Sequence, residues 1–438
     1  MVICEIEFSN NPRGIFYAGQ LISGQVVIKT EKAKPVKAVV LQIKGFAETY
    51  WTDPEFDSED QSNGESFKGH VDYIATKAYL HGSSSSIEVI IEPGTSTYRF
   101  ACQLPITCPS SFEGTHGRVR YLVNVRFLRP WKFDQNFGRS FTVLKVMDLN
   151  TESLMLRVPT QVESQRTYCC FPCRSDPLSI RLSLPQGGFV PGQTIPVGVM
   201  ISNDSHVAVE DITVTLAMVV IYYSQPPTAD TNKDRFVMVQ KTGEGAPAKC
   251  RKQFTFDIRV PATPPTCFNL CSIIQIGYQV EAEARVKGCH ANQSVHMPVT
   301  IGSVPLTKQL QKEGRIWGED LPPQQLDAKA LVLIKNEEVM ETVGPVNPWA
   351  ADTSIAPPHY AEAKHISPET QKSSKAKKKS IKKTTKESKD QNGMEIVFTP
   401  LYAVFDLENP DDNLILRSNE SKTDGGYVNE DVDRSTWL

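Results

Sequence analysis

At 438 residues the chain is longer than one hydrophobic core usually supports, so two or three domains, or two domains with an unfolded region, are expected. A formal charge of -3, with 40% hydrophobic and 22% charged residues, excludes an overall bias toward nucleic acid or an anionic surface, and no nucleic-acid partner is expected. No apolar run approaches the roughly 18 residues needed to cross a bilayer; the best candidate, Leu216 to Tyr223, has the length of a strand.

The chain opens with alternation, Cys4, Ile6 and Phe8 against Glu5 and Glu7. That pattern predicts a strand rather than a signal peptide, and with it a cytoplasmic protein that meets membranes only peripherally. In that compartment the ten cysteines are expected to stay reduced. Lys29, Lys32, Lys34, Lys37 and Lys44 follow, read either as a phosphate- or lipid-facing patch or as a solvated face. The acidic stretch between Trp51 and Phe67 is expected to be an exposed loop.

Period-two patterning recurs in Val39-Leu41-Ile43, Tyr121-Val123-Val125-Phe127, Ile180-Leu182-Leu184 and Ile212-Val214-Leu216, and most fully from Ile274 to Val286. Turn residues punctuate these runs, as in a sandwich of short antiparallel strands. The pattern is also duplicated. FYAGQLISGQVVI from Phe16 aligns with FVPGQTIPVGVMI from Phe189, and Tyr121 and Val123 resemble Tyr278 and Val280. Two copies of one sandwich are the simplest explanation. The expected organisation is a first sandwich over 1–156, a linker over 157–176 holding Cys169, Cys170 and Cys173, a second sandwich over 177–306, and a largely disordered tail over 307–438.

Several segments carry a family resemblance. Pro109-Ser110-Ser111-Phe112-Glu113-Gly114 with His116-Gly117-Arg118-Val119-Arg120-Tyr121, the Cys169 to Cys173 cluster, Pro264-Pro265 with Cys271 to Ile274, and Ile301 to Leu306 stand in order along the chain. Together they resemble the alpha-arrestins, the arrestin-domain-containing proteins. The resemblance implies two tandem arrestin-type, immunoglobulin-like antiparallel β-sandwiches and an adaptor role toward membrane cargo. The clathrin-binding tail of the receptor-desensitising arrestins has no counterpart here, so their phosphate-sensing polar core is not carried over.

Beyond Thr307 the polar composition cannot bury enough apolar surface to offset the entropy of folding. Within it, Gln324 to Val343 reads as a short helix. Pro357-Pro358-His359-Tyr360 is the sharpest motif: adjacent prolines pre-set the polyproline II conformation, and Tyr360 adds a ring and hydroxyl on the face that an aromatic-lined WW groove reads. Pro400 and Tyr402, in Thr399-Pro400-Leu401-Tyr402, resemble a weaker second copy that lacks its first proline; the competing reading is an isolated apolar patch. Nine lysines lie between Gln371 and Lys389. There Lys377, Lys378, Lys379, Lys382 and Lys383 are candidates for anionic lipid, nuclear import or ubiquitin attachment, against a simply solvated run.

No G-x-S-x-G elbow, H-E-x-x-H, P-loop or G-x-G-x-x-G is present, so no enzyme activity, cofactor or metal site is expected. Cys169, Cys170 and Cys173 lack a fourth ligand at zinc spacing, so packing or exposure in the linker is expected, with lipidation and then metal binding as the alternatives. The expected function is an adaptor that brings the cytosolic regions of membrane proteins to WW-domain HECT-type ubiquitin ligases, promoting endocytosis and endosomal sorting at the plasma membrane and endosomes. The alternatives are a nuclear protein binding a WW-domain co-activator, and a retromer-like coat subunit.

Overall fold

A computed structural model describes residues 2–9, 11–52, 66–170, 173–174, 176–307, 331–334, 356–363 and 398–407. The first sandwich contains β1 (Val2–Phe8), β2 (Ile15–Tyr17), β3 (Leu21–Thr30), β4 (Lys34–Val36), β5 (Ala38–Thr52) and β6 (Ser66–Gly82). It continues with β7 (Val89–Ile91), β8 (Gly94–Gln103), β9 (Phe112–Glu113), β10 (Gly117–Leu128) and β11 (Gln135–Leu144). After a short 3-10 turn at Leu154–Arg157 come β12 (Thr160–Arg166), β13 (Cys169–Cys170), β14 (Cys173–Arg174), β15 (Leu178–Leu184), β16 (Gly188–Phe189) and β17 (Thr194–Asn203). The second sandwich is completed by β18 (Val209–Tyr223), β19 (Thr231–Ala246), β20 (Cys250–Arg259), β21 (Ile274–Val286) and β22 (Gln293–Ile301). Three tail strands follow, β23 (Leu331–Ile334), β24 (His359–Glu362) and β25 (Leu401–Val404).

The duplication read from the sequence is a duplication of topology. One sheet runs β1-β3-β8 in the first sandwich and β15-β17-β20 in the second; the facing sheet runs β2-β11-β10-β5-β6 and then β16-β22-β21-β18-β19. Each copy closes with a short parallel pair, β2 on β11 and β16 on β22. The strands form where the pattern alternates: along β21 every second residue from Ile274 to Val286 is buried, because successive side chains point to opposite faces.

The likeness extends to individual bonds. Tyr121 Oη donates to the Pro109 carbonyl at 2.8 Å, and Tyr278 Oη donates to the Pro264 carbonyl at 2.6 Å. Ser111 Oγ accepts from the Val143 amide while Thr266 Oγ1 accepts from the Ile301 amide, both at 2.9 Å. In the aligned Phe-x-x-Gly-Gln segments, Gln20 Oε1 accepts from the Tyr17 amide and Gln193 Oε1 from the Val190 amide. Gly19 and Gly192, at φ +88° and +93°, supply the left-handed residue that each of these turns requires.

The sandwiches meet end to end. Thr49 Oγ1 donates to the Tyr223 carbonyl, the Gln225 amide to the Lys68 carbonyl, and the Met147 amide to Ser303 Oγ. His116 Nε2 lies 3.6 Å from Asp234 Oδ1 and its ring packs edge-on to Tyr222, so this histidine reaches across the junction as well as standing beside its own turn.

Two expectations are corrected. Thr160 to Arg166 is not linker but β12, paired antiparallel with β15 at the edge of the second sandwich, so that sandwich begins before residue 177. Within the expected linker, Cys169–Cys170 and Cys173–Arg174 form a two-stranded antiparallel pair. In the tail, Leu331–Ile334 is a strand added to β8, not part of a helix, since an open sheet edge offers its unpaired amides and carbonyls to any extended segment. The acidic stretch at 53–65 lies outside the described residues.

Candidate functional site

Two tail segments that are far apart in sequence close on each other. β24 and β25 pair antiparallel, with Tyr360 opposite Ala403 and Ala361 opposite Tyr402, and the Ala363 amide donates to the Pro400 carbonyl at 3.1 Å. The pair lies in a groove at the junction of the sandwiches. Ile15, Tyr17 and Leu144 of the first sandwich, Leu149 of the connection, and Val190 and Val304 of the second form one apolar cluster with Tyr402 and Phe405. These tail residues form strands because their side chains have an apolar host, which polar composition alone does not reveal.

The groove is built by the two aligned turns. Tyr17, in the first Phe-x-x-Gly-Gln segment, shares a hydrogen bond of 2.7 Å with Tyr360, hydroxyl to hydroxyl. In the second copy, the Pro191 carbonyl accepts from the Phe405 amide at 2.9 Å. A methyl group on Gly192 would fall on the Phe405 carbonyl, so this close approach requires glycine. The floor is the Pro109 to Glu113 signature: the Ser111 carbonyl accepts from Tyr402 Oη at 2.8 Å, and Arg120 holds Glu113 through two bonds of 2.5 and 2.9 Å. Thr142 Oγ1 accepts from the Leu401 amide at 3.3 Å.

Burial pushes the Tyr17, Tyr360 and Tyr402 phenols up from their ordinary range, so all three remain neutral donors or acceptors at physiological pH. Arg259 and Asp406 approach to 3.9 Å at the rim, where solvent screens the pair. Among the described residues the arrangement is an apolar groove that receives a paired, extended stretch of the same chain.

The chain matches the N-terminal domain of the arrestin (or S-antigen) family over residues 4–150 and the C-terminal domain over residues 174–306. It is 30% identical over 319 residues to arrestin domain-containing protein 17 of Caenorhabditis elegans, spanning 69% of this chain and 70% of that protein. The chain belongs to the alpha-arrestins. This alpha-arrestin is also 22% identical over 302 residues to human arrestin domain-containing protein 4, covering 68% and 70% of the two chains. To rat thioredoxin-interacting protein it is 23% identical over 308 residues, covering 67% and 72%. The family is one of adaptor-type proteins.

The structure brings some of the expected site residues of this alpha-arrestin together. Pro357 is exposed and Pro358 half-buried just ahead of β24, while the Tyr360 ring turns into the groove. Pro400 and Tyr402 are buried, Tyr402 to 2% exposure, so the second motif is the inner wall of the hairpin. Lys377, Lys378, Lys379, Lys382 and Lys383 lie outside the described residues. Sequence reasoning passed over Tyr17, Ser111 and Phe405 as a host for the motif. The signal was present: Leu401 to Phe405 is an apolar run in a polar tail.

Proposed function

We propose that this alpha-arrestin is an adaptor whose tail recruits WW-domain HECT-type ubiquitin ligases through Pro357-Pro358-His359-Tyr360, while the paired sandwiches engage cytosolic regions of membrane proteins. Holding both on one scaffold raises their effective concentration, and so promotes cargo ubiquitination and endosomal sorting without chemistry of the adaptor's own. The protein works peripherally at the plasma membrane and endosomes. The observation that carries the reading is the peptide itself, with Pro357 exposed and Tyr360 held by its pairing with Ala403, a hydroxyl bond to Tyr17 and a small apolar cluster.

A WW groove and the interdomain groove cannot hold the Tyr360 ring at once, so ligase docking draws β24 out of its pairing. The Pro400 and Tyr402 motif becomes available only if β25 follows, and then adds avidity from the same tether. The test is capture of the full chain by a tandem WW array, with cargo ubiquitination in cells as a second readout. Tyr360→Ala abolishes most of both if the assignment is right; undiminished capture and ubiquitination refute it.

A further inference from the structure

The end of the first sandwich farthest from its partner carries a feature that the adaptor reading leaves unused. β5 runs from Ala38 at this end to Thr49 at the interdomain contact, roughly 36 Å at the usual rise of a strand. Loops 31–37, 83–93 and 129–134 converge here. The Lys37 amide donates to the Leu128 carbonyl at 2.6 Å, Thr30 Oγ1 donates to the Glu92 carbonyl at 2.9 Å, and β4 pairs with β7.

At the tip of the β10–β11 connection, Trp131 and Phe133 are 102% and 94% exposed, with Lys132 between them. Ile87, at 89%, and Ile90 of β7 are exposed on the segment 83–93. Single exposed apolar residues are ordinary, but four large ones on adjoining segments are not. The tip is also braced. Arg126 Nη2 donates to Asp134 Oδ2 at 2.6 Å, the Arg129 amide donates to Asp134 Oδ1 at 3.3 Å, and Arg129 Nε donates to the Phe133 carbonyl at 2.8 Å. Trp131 takes a φ of +60°, a left-handed conformation that is rare for a bulky aromatic and marks a constrained site. The fold thus holds two aromatic rings outward where burial would favour folding them back.

The loops around this apolar tip carry charges of both signs, with Glu31, Glu88 and Glu92 exposed alongside the lysines. Lys32, Lys37 and Lys132 are exposed, Lys34 is half-buried beside them, and Asp134 is already engaged by Arg126. Aromatic rings flanked by basic residues match the bilayer interface, where amphipathic rings sit at headgroup depth and cations meet anionic lipid. We propose that this edge is a membrane-contact surface: the Trp131-Lys132-Phe133 tip inserts into an anionic bilayer while the lysines of loop 31–37 meet its headgroups. The inference stands independently of the WW peptide.

The test uses the full chain and vesicles of phosphatidylcholine with and without phosphatidylserine, some carrying brominated acyl chains that quench an inserted indole. Trp131→Phe isolates the signal of that ring from the other tryptophans by difference. Expected are quenching of Trp131 only when phosphatidylserine is present, and partition of the Trp131→Ser/Phe133→Ser variant weakened about tenfold or more. The lysine run of the tail is controlled by changing Lys377, Lys378, Lys379, Lys382 and Lys383 to Gln, which is expected to leave the quenching of Trp131 in place. Equal partition of wild type and the double variant overturns the proposal, as does bromolipid quenching that persists undiminished in Trp131→Phe. Loss of a protein partner from the double variant with vesicle binding intact also overturns it, and assigns the tip to protein recognition.

Discussion

On the proposed function, Phe405→Ala is expected to tighten WW binding although the residue lies outside both proposed WW motifs. Phe405 is fully buried in the groove cluster, and its amide is bonded to the Pro191 carbonyl. Truncating a buried phenylalanine costs about 3–5 kcal/mol through lost transfer energy and the cavity left behind. Because β25 is the partner strand of β24, that loss weakens the docked state of Tyr360 and leaves the free peptide unchanged. The apparent dissociation constant is the intrinsic one divided by the competent fraction. A loss of about 3 kcal/mol in docking therefore raises the affinity of the full chain by up to roughly a hundredfold, with the isolated peptide as the ceiling. Calorimetry of one WW domain against wild type, Phe405→Ala and a synthetic peptide covering 352–366 measures all three. Wild type should bind most weakly, and the variant should approach the peptide. Equal affinity of wild type and peptide, with no effect of Phe405→Ala, refutes the masking.

Tyr17→Phe removes the hydroxyl partner of Tyr360 with little change of shape; a net hydrogen bond of about 1 kcal/mol predicts roughly fivefold tighter WW binding by the same calorimetry. Tyr121→Phe and Tyr278→Phe each leave a proline carbonyl without its phenol donor, so each is expected to lower stability by about 1–3 kcal/mol in urea unfolding, comparably in the two sandwiches. Hydrogen bonds from Ser179, Gln165 and Arg181 hold the Glu163 carboxyl down at about 2 from its ordinary value of 4.5. A depressed carboxyl contributes stability above its unfolded value and loses it as pH falls toward the folded one. Glu163→Gln should accordingly flatten the stability profile between about pH 4.5 and 2, modestly because the group is exposed, and an unchanged profile would contradict the pairing of β12 with β15.

The two sandwiches were legible because alternation and duplication are local signals, carried by Ile274 to Val286 and by the aligned Phe16 and Phe189 segments. Thr160 to Arg166 was missed as a strand because its alternate residues are only half-buried, Val162 standing as the sole large aliphatic among Thr, Gln, Glu and Ser. The tail strands were missed for a different reason. Four-residue segments owe their structure to the surface that receives them, and β24 and β25 are separated by a stretch too long to mark a hairpin turn. Leu401 to Phe405 read equally well as an isolated apolar patch, and only the cluster with Tyr17, Leu149 and Val190 shows what it is for. The peptide Pro357-Pro358-His359-Tyr360 was visible from its chemistry; that Tyr360 has a partner within the same chain was not.

On the proposed function, Tyr360 serves two hosts in turn, the interdomain groove and a WW domain. Hydrogen exchange of the Ala363 and Phe405 amides, which donate to the Pro400 and Pro191 carbonyls, reports the docked state directly. Saturating WW domain is predicted to strip protection from the Ala363 amide, and from Phe405 as the partner strand follows, while the amides of β10 and β21 stay protected. Full protection of both tail amides with the WW domain bound through Tyr360 would show that the two hosts do not compete for this tyrosine.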